Sequence, residues 1–322
     1  ADPSGSYLLN FTSMLTFRDN LRQDIADLSV LAVTIPTIDV DGDTLPDLDG
    51  STINYTAVSA GAMAGPAFVA IEPMVNNTFL SVPMGGVARG LEASSYFGPP
   101  IKAALAELGV LPGTPDYESF FLALQTVIDS ADPINWSAEA VRHNNIVLHE
   151  VREDFLVPNS VPTAPLSGTE PMIRAMGLNA YSSTQQDANG LDLVGRFPKP
   201  AHHWSFLSPV NPLTGENTMD IFVEMQKQFA SFIASKGKAV VVTNPAVRVP
   251  EVQVERQPVP DLREGSKSQK GTGKNPEPPS NLMEAVRGLG AMARPVTGFG
   301  PESGARPGPG EKERLQQPNR FE

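Results

Sequence analysis

The sequence predicts an α/β fold, a mostly parallel sheet flanked by helices, on three observations. Short runs fit for strands recur at 51–56, 77–82, 145–151 and 193–197. Stretches with helical spacing separate most of them. Three of the strands run straight into loops that carry chemistry-bearing residues: Ser59, Asp154 and the pair His202 and His203. In open α/β sheets, sites are built at the C-terminal ends of the strands.

The elements follow in order. An amphipathic helix is expected over 7–35, where Leu15, Leu21, Ile25, Leu28 and Leu31 recur at near-helical spacing. Residues 36–50 form an acidic, turn-rich loop that feeds the first strand. After that strand come a single serine and the small residues 60–66 (AGAMAGP), the makings of a tight turn and a closely packed helix. The strand at 77–82 follows. Residues 86–140 then read as helical, with helices at 101–108 and 117–128 interrupted by Pro112, Gly113 and Pro133. Lying between two core strands, this insertion is placed as a helical lid or cap. Further helices are expected at 168–182 and 217–236, with an edge strand at 238–243. Past about Pro250 the composition shifts to Pro, Gly, Lys, Glu and Gln without a period, which marks a disordered or loosely draped tail. Only 280–287 looks helical there. The domain reading is therefore a cloning remnant at 1–6, a core at 7–248 and a low-complexity tail at 249–322.

Strand, serine, small residues and helix together make a nucleophile elbow, in which a sharp turn pushes the hydroxyl out of the sheet. Residues 57–61 read AVSAG, so the usual Gly-X-Ser-X-Gly pattern is kept at Gly61 and replaced by Ala57 at its first position. Asp154 follows the buried strand 145–151, with Glu153 as a rival acid beside it. His202 and His203 lie in the loop after 193–197. The order Ser, Asp, His is that of α/β-hydrolases and not of the other serine hydrolase folds. The chemistry implied is acyl transfer: Ser59 attacks an ester carbonyl, a histidine carries the proton, Asp154 orients that histidine, and the amide of Ala60 donates to the oxyanion. His143 and His149 read as surface and core residues.

From about Tyr7 to Val247 the chain resembles the C-terminal part of the large extracellular, virulence-factor type lipases of Gram-negative bacteria. The resemblance rests on 16–23 (TFRDNLRQ), on 38–43 with 46–50, on 125–135 (QTVIDSADPIN), on 156–159 (LVPN) and on 203–207 (HWSFL). At the elbow that family has Gly-His-Ser-Leu-Gly-Gly where this chain has AVSAGA. The resemblance implies an α/β-hydrolase core, favours His203 over His202 as the triad imidazole, and implies a serine carboxylesterase or lipase acting on short- to medium-chain esters. Few residues precede the elbow, where a complete hydrolase sheet has further strands and the loop of the second oxyanion donor. The chain is thus expected to be the C-terminal portion of a larger enzyme, lacking the N-terminal strands. It would pair with a missing N-terminal piece, dimerise through its exposed sheet edge or rebuild the oxyanion hole differently. A catalytically impaired hydrolase-like module is the alternative.

Composition narrows the function classes. A formal charge of −12 argues against nucleic acid, whose phosphates are bound by Lys and Arg. No apolar run approaches the roughly 20 residues that cross a bilayer. With no cysteine there is neither disulfide nor thiolate chemistry, and together with the resemblance this points to a secreted or cell-surface bacterial protein. Catalysis of this kind requires no cofactor. Asp39, Asp41, Asp43, Asp47 and Asp49 alternate with Gly42 and Gly50, a spacing similar to loops that gather oxygen ligands round calcium. Structural calcium at Asp39, Asp41, Asp43 and Asp47 is therefore an expectation, although the twelve-residue EF-hand register is not met.

Overall fold

A computed structural model of the chain describes residues 13–248. The cloning remnant at 1–6, the tail at 249–322 and its helix at 280–287 lie outside the described residues. Five strands form one parallel sheet: β1 (Ile53–Val58), β2 (Val75–Ser81), β3 (Asn145–Val151), β4 (Asn179–Ala180) and, past a short β5 (Gln185–Gln186), β6 (Leu193–Phe197). Their order is β1-β2-β3-β6-β4, and every neighbouring pair is parallel.

Alternation along the strands sets the layers. Phe79, Val147, Val151, Leu193 and Phe197 face one apolar cluster, while Leu80, Ile146, Leu148 and Val194 face the other. The second cluster is the larger. It takes in α1 (Met14–Thr34), α2 (Ala60–Ile71), α3 (Val87–Ala93), α4 (Gly98–Glu107), α5 (Pro115–Ile128), α6 (Pro133–Ala140) and α7 (Thr169–Met176). The first is closed by α8 (Met219–Ala234) through Ile221, Met225 and Phe232. The whole is a parallel sheet with helices on both faces.

Local chemistry explains where the elements start. Ser13 caps α1 by accepting from the Thr16 amide at 3.3 Å. Thr114 caps α5, with Pro115 at the first helical position and Asp116 and Glu118 in the first turn. No helix among the described residues is long and apolar enough to cross a membrane.

Three expectations need correction. The helix expected over 168–182 stops at Met176, because Gly177 turns left-handed (φ 69°) and its neighbour Leu178 donates back to the Ile173 carbonyl at 3.1 Å. The chain then enters β4. The stretch 238–243 is not an edge of the main sheet: only β7 (Ala239–Val240) is strand, and it pairs antiparallel with β5. Glu224 on α8 holds the segment that follows, accepting from the amides of Thr243 (3.1 Å) and Asn244 (2.9 Å). Finally, the insertion at 86–140 is not simply a lid. Phe120, Phe121 and Ile128 of α5 and Ala140 of α6 are buried in the main core, and α6 packs on α2 as part of the crossover from β2 to β3. Only its first part reaches the site.

Candidate active site

The site is built from loops at the C-terminal ends of β1, β3 and β6. Ser59 sits between β1 and α2 with φ 54° and ψ −118°, a left-handed conformation uncommon for a residue with a side chain. The turn is held from outside: the Ser59 amide donates to the Ser81 carbonyl at the end of β2 at 2.9 Å. Small neighbours make it feasible. A Cβ on Gly61 would come within 3.3 Å of the Ala57 Cβ, so the two pattern positions face each other and a methyl group on both would be a tight contact. Glycine at 61 leaves Ala57 free of that contact. The Tyr55 hydroxyl then donates to the Gly61 carbonyl at 2.7 Å, lashing the first turn of α2 to its own strand.

Asp154 lies three residues past β3. Its Oδ1 accepts from the amides of Leu156 (2.9 Å) and Val157 (3.3 Å), and its Oδ2 lies 2.7 Å from His203 Nδ1. One carboxylate thus folds its own loop and fixes the imidazole. Asn159 clamps the loop base by accepting from the Glu153 amide and donating to the Val151 carbonyl, each at 2.8 Å. Glu153, the rival acid, is exposed and pairs with Lys199 at 2.6 Å.

His203 completes the line. Its Nε2 is 2.8 Å from Ser59 Oγ, and its ring meets the Trp204 ring edge-on at 5.5 Å. The side chains of Asp154 and His203 are only 1% and 2% exposed, so their pairing is shielded from water. His202 turns the other way: its Nε2 lies 3.2 Å from Thr218 Oγ1, and burial holds its imidazole below the ordinary histidine range. Ser205 explains the spacing of the loop, since its Oγ accepts from the His202 amide at 2.9 Å.

Of the residues expected in the site, Ser59, Asp154 and His203 therefore converge. Ala60 opens α2, and as the first helical residue its amide has no partner within the helix. His143 is exposed near Glu139, and His149 is buried among Phe79 and Phe197. In the acidic loop, Asp39, Asp41 and Asp43 bring carboxylate oxygens within 4.8 Å of one another, all exposed. Asp47 is not one of them; its Oδ2 accepts from the Val40 amide at 2.6 Å. Asp39 likewise binds the amides of Gly42 (2.6 Å) and Thr44 (2.8 Å), so these carboxylates shape the loop's own turns.

A cavity of about 280 Å3 opens beside Ser59 and His203. Its walls are apolar: Met63 from α2, Met84 and Val87 from the segment after β2, Leu156 and Val157 from the acid loop, and Phe17 from α1. Val58, Ala60, Leu91, Phe97, Trp204 and Leu207 complete it. Sequence reasoning missed two contributors. Phe17 belongs to a helix preceding the elbow, and no local pattern connects it to the site. Asp132, inside the 125–135 string, is 1% exposed and accepts from the amides of Gly86 (3.0 Å), Val87 (2.7 Å) and Ile134 (3.1 Å) and from Gln125 Nε2 (2.8 Å). Burial pushes its carboxyl upward, against the pull of those donors. It anchors the wall carrying Met84 and Val87. Gly85 bonds Gly168 across the same segment (2.9 and 3.2 Å), and Gly86 takes φ 59° where a Cβ would strike Ser167.

No family model and no curated protein sequence matches the chain. Among solved structures, the chain is similar to a puromycin-hydrolyzing peptidase of Mycobacterium tuberculosis, with a TM-score of 0.41 and 13% identity over 68% of this chain and 27% of that one. It is also similar to a puromycin hydrolase, with a TM-score of 0.38 and 12% identity over 69% of this chain and 27% of that one. The chain thus spans about a quarter of the length of either protein.

Proposed function

We propose that the protein is a serine hydrolase of carboxylic esters that works through Ser59, His203 and Asp154 by an acyl-enzyme. The observation that carries the reading is the hydrogen-bonded line from Ser59 Oγ to His203 Nε2 (2.8 Å) and from His203 Nδ1 to Asp154 Oδ2 (2.7 Å). In that arrangement Ser59 Oγ attacks the ester carbonyl while His203 Nε2 takes its proton. The proton then passes to the departing alcohol, leaving the acyl group on Ser59. Water repeats the sequence, with His203 again as base, and releases the acid. Asp154 keeps Nδ1 protonated, so that Nε2 faces Ser59 with its lone pair, and stabilises the imidazolium that forms. The Ala60 amide, beside the nucleophile at a helix N-terminus, is the donor for the oxyanion. Losing such a donor costs about 10²–10³-fold in rate in a well-studied protease.

The cavity suits an apolar acyl group. Its walls offer apolar surface for an acyl chain, and its volume falls just under the ~300–1,000 Å3 of pockets that enclose drug-sized ligands, which favours short to medium chains. Hydrolysis of p-nitrophenyl butyrate by the wild type and by Ser59→Ala tests this. Turnover should fall by at least about 10³-fold in the variant; equal rates in the two proteins would exclude Ser59. The second reading, an impaired hydrolase-like binding module, draws on Ala57 in place of the pattern glycine and predicts no turnover by either protein.

A further inference from the structure

Leu91 borders two separate spaces. One is the 280 Å3 cavity that holds Ser59 and His203. The other is a void of about 30 Å3 walled by Met14, Ala88, Ile101, Phe120, Phe121 and Leu124, all apolar. Helical spacing explains the double contact. Val87 and Leu91 lie four apart on α3 and face the cavity together, whereas Ala88 and Leu91 lie three apart and face the void.

The partition stands on a fixed helix. Asp132 holds the Val87 amide at 2.7 Å, and Gln125 Oε1 holds the Ala88 amide at 3.2 Å. Arg89 pairs with Glu92 at 2.7 Å and lies over the Phe121 ring at 4.6 Å. Leu91 itself is 5% exposed. Its lining offers no polar partner to a water molecule.

The geometry points to Leu91 as the specificity-determining floor of the acyl pocket, the side chain that limits how long an acyl chain can lie beside Ser59. The inference rests on Ser59 being the acylated residue. Removing the Leu91 side chain joins the two spaces and extends the pocket toward α4 and α5 by the lost side-chain volume plus the void. In apolar pockets a single methylene is worth ~10–200-fold in discrimination, so a few carbons of added depth give a measurable change.

The experiment compares p-nitrophenyl esters from acetate to dodecanoate with the wild type, Leu91→Ala, and Leu91→Ala with Ala88→Leu to refill the void. Leu91→Ala should raise the kcat/KM ratio of decanoate over butyrate by at least about 10-fold, and Ala88→Leu should reverse the change. Ser59-dependent turnover with the same optimum chain length in all three proteins overturns the inference. Should Leu91→Ala not fold, Leu91→Val, which shortens the side chain by one carbon, replaces it, and an unchanged optimum there counts equally against the inference. Calorimetric binding of hexanoate, decanoate and dodecanoate to Ser59→Ala, with and without Leu91→Ala, separates this inference from the reading it rests on. If no protein hydrolyses an ester, the reading of Ser59 fails. The acyl role of Leu91 falls with it, and a shift of binding toward the longer acids in Leu91→Ala then shows only that Leu91 limits the cavity; with hydrolysis intact, the absence of that shift overturns the inference alone.

Discussion

At position 59 a residue with a Cβ holds a backbone conformation that normally belongs to glycine, and the structure surrounding it makes this tolerable. The Ser59 amide completes the ladder to Ser81, and the start of α2 is tied down by Tyr55. Such strain costs about 1–3 kcal/mol, and it aims the hydroxyl at His203. Ser59 and Asp154 were legible in the sequence because their chemistry and their place after a strand coincide. The choice between His202 and His203 was not legible from the residues themselves. Both are buried and adjacent, and consecutive side chains of one tight loop point opposite ways, one to Thr218 and one to Ser59. The same holds for Glu153 and Asp154, of which one reaches Lys199 and the other His203.

Among the elements, α2 must lie close against the sheet to hold the elbow, and Gly65 is what permits it. A Cβ at Gly65 would come within 2.9 Å of both Leu80 Cδ2 and Tyr55 Cε1. Tyr55 cannot yield readily, since its hydroxyl is fixed on the Gly61 carbonyl. In a helix interior, replacing glycine by alanine gains up to about 1 kcal/mol, whereas overpacking a core costs ~1–3 kcal/mol. Overpacking prevails. Gly65→Ala should therefore lower the stability measured by urea unfolding despite its better helix propensity, and a stabilised variant would contradict this packing. The small residues at 60–66 signalled a close helix from sequence alone. Strands β2, β3 and β6 and helices α5 and α8 were legible from residue type and spacing in the same way. β4, with two residues, left no periodic trace. The 125–135 string was conspicuous, yet its role depends on Asp132 meeting amides more than forty residues away.

For the molecule as a whole, one buried charge cluster bridges β3, β6 and α7. Arg196 Nε lies 2.9 Å from Glu150 Oε2, and its Nη2 lies 2.9 Å from Glu170 Oε2, while Arg152 reaches Glu170 at 3.2 Å. Burial, together with the nearby Glu170 carboxylate, pushes the Glu150 carboxyl up to about 8, against the pull of Arg196 and Arg152. The folded protein therefore holds a proton on Glu150 over a pH range where the unfolded chain has released it. This contribution is present below the ordinary carboxylate range and is lost as pH rises from about 4.5 to about 8. Glu150→Gln, which keeps the shape and an oxygen for Arg196, should decline less in Tm than the wild type between pH 5 and 8.5. Parallel Tm curves would contradict the buried, protonated carboxyl. The Glu150 cluster escaped the sequence because the register of β3 against β6, which pairs Glu150 with Arg196, exists only in the folded sheet.

The central claim is that Ser59 is activated by His203. Labelling with a fluorophosphonate, followed by mass spectrometry of the peptide that carries Ser59, tests it most directly. The wild type should acquire one phosphonyl group on Ser59, and His203→Ala should lose that labelling by orders of magnitude while remaining folded. Labelling at another serine, or equal labelling of Ser59 in His203→Ala, would contradict the account.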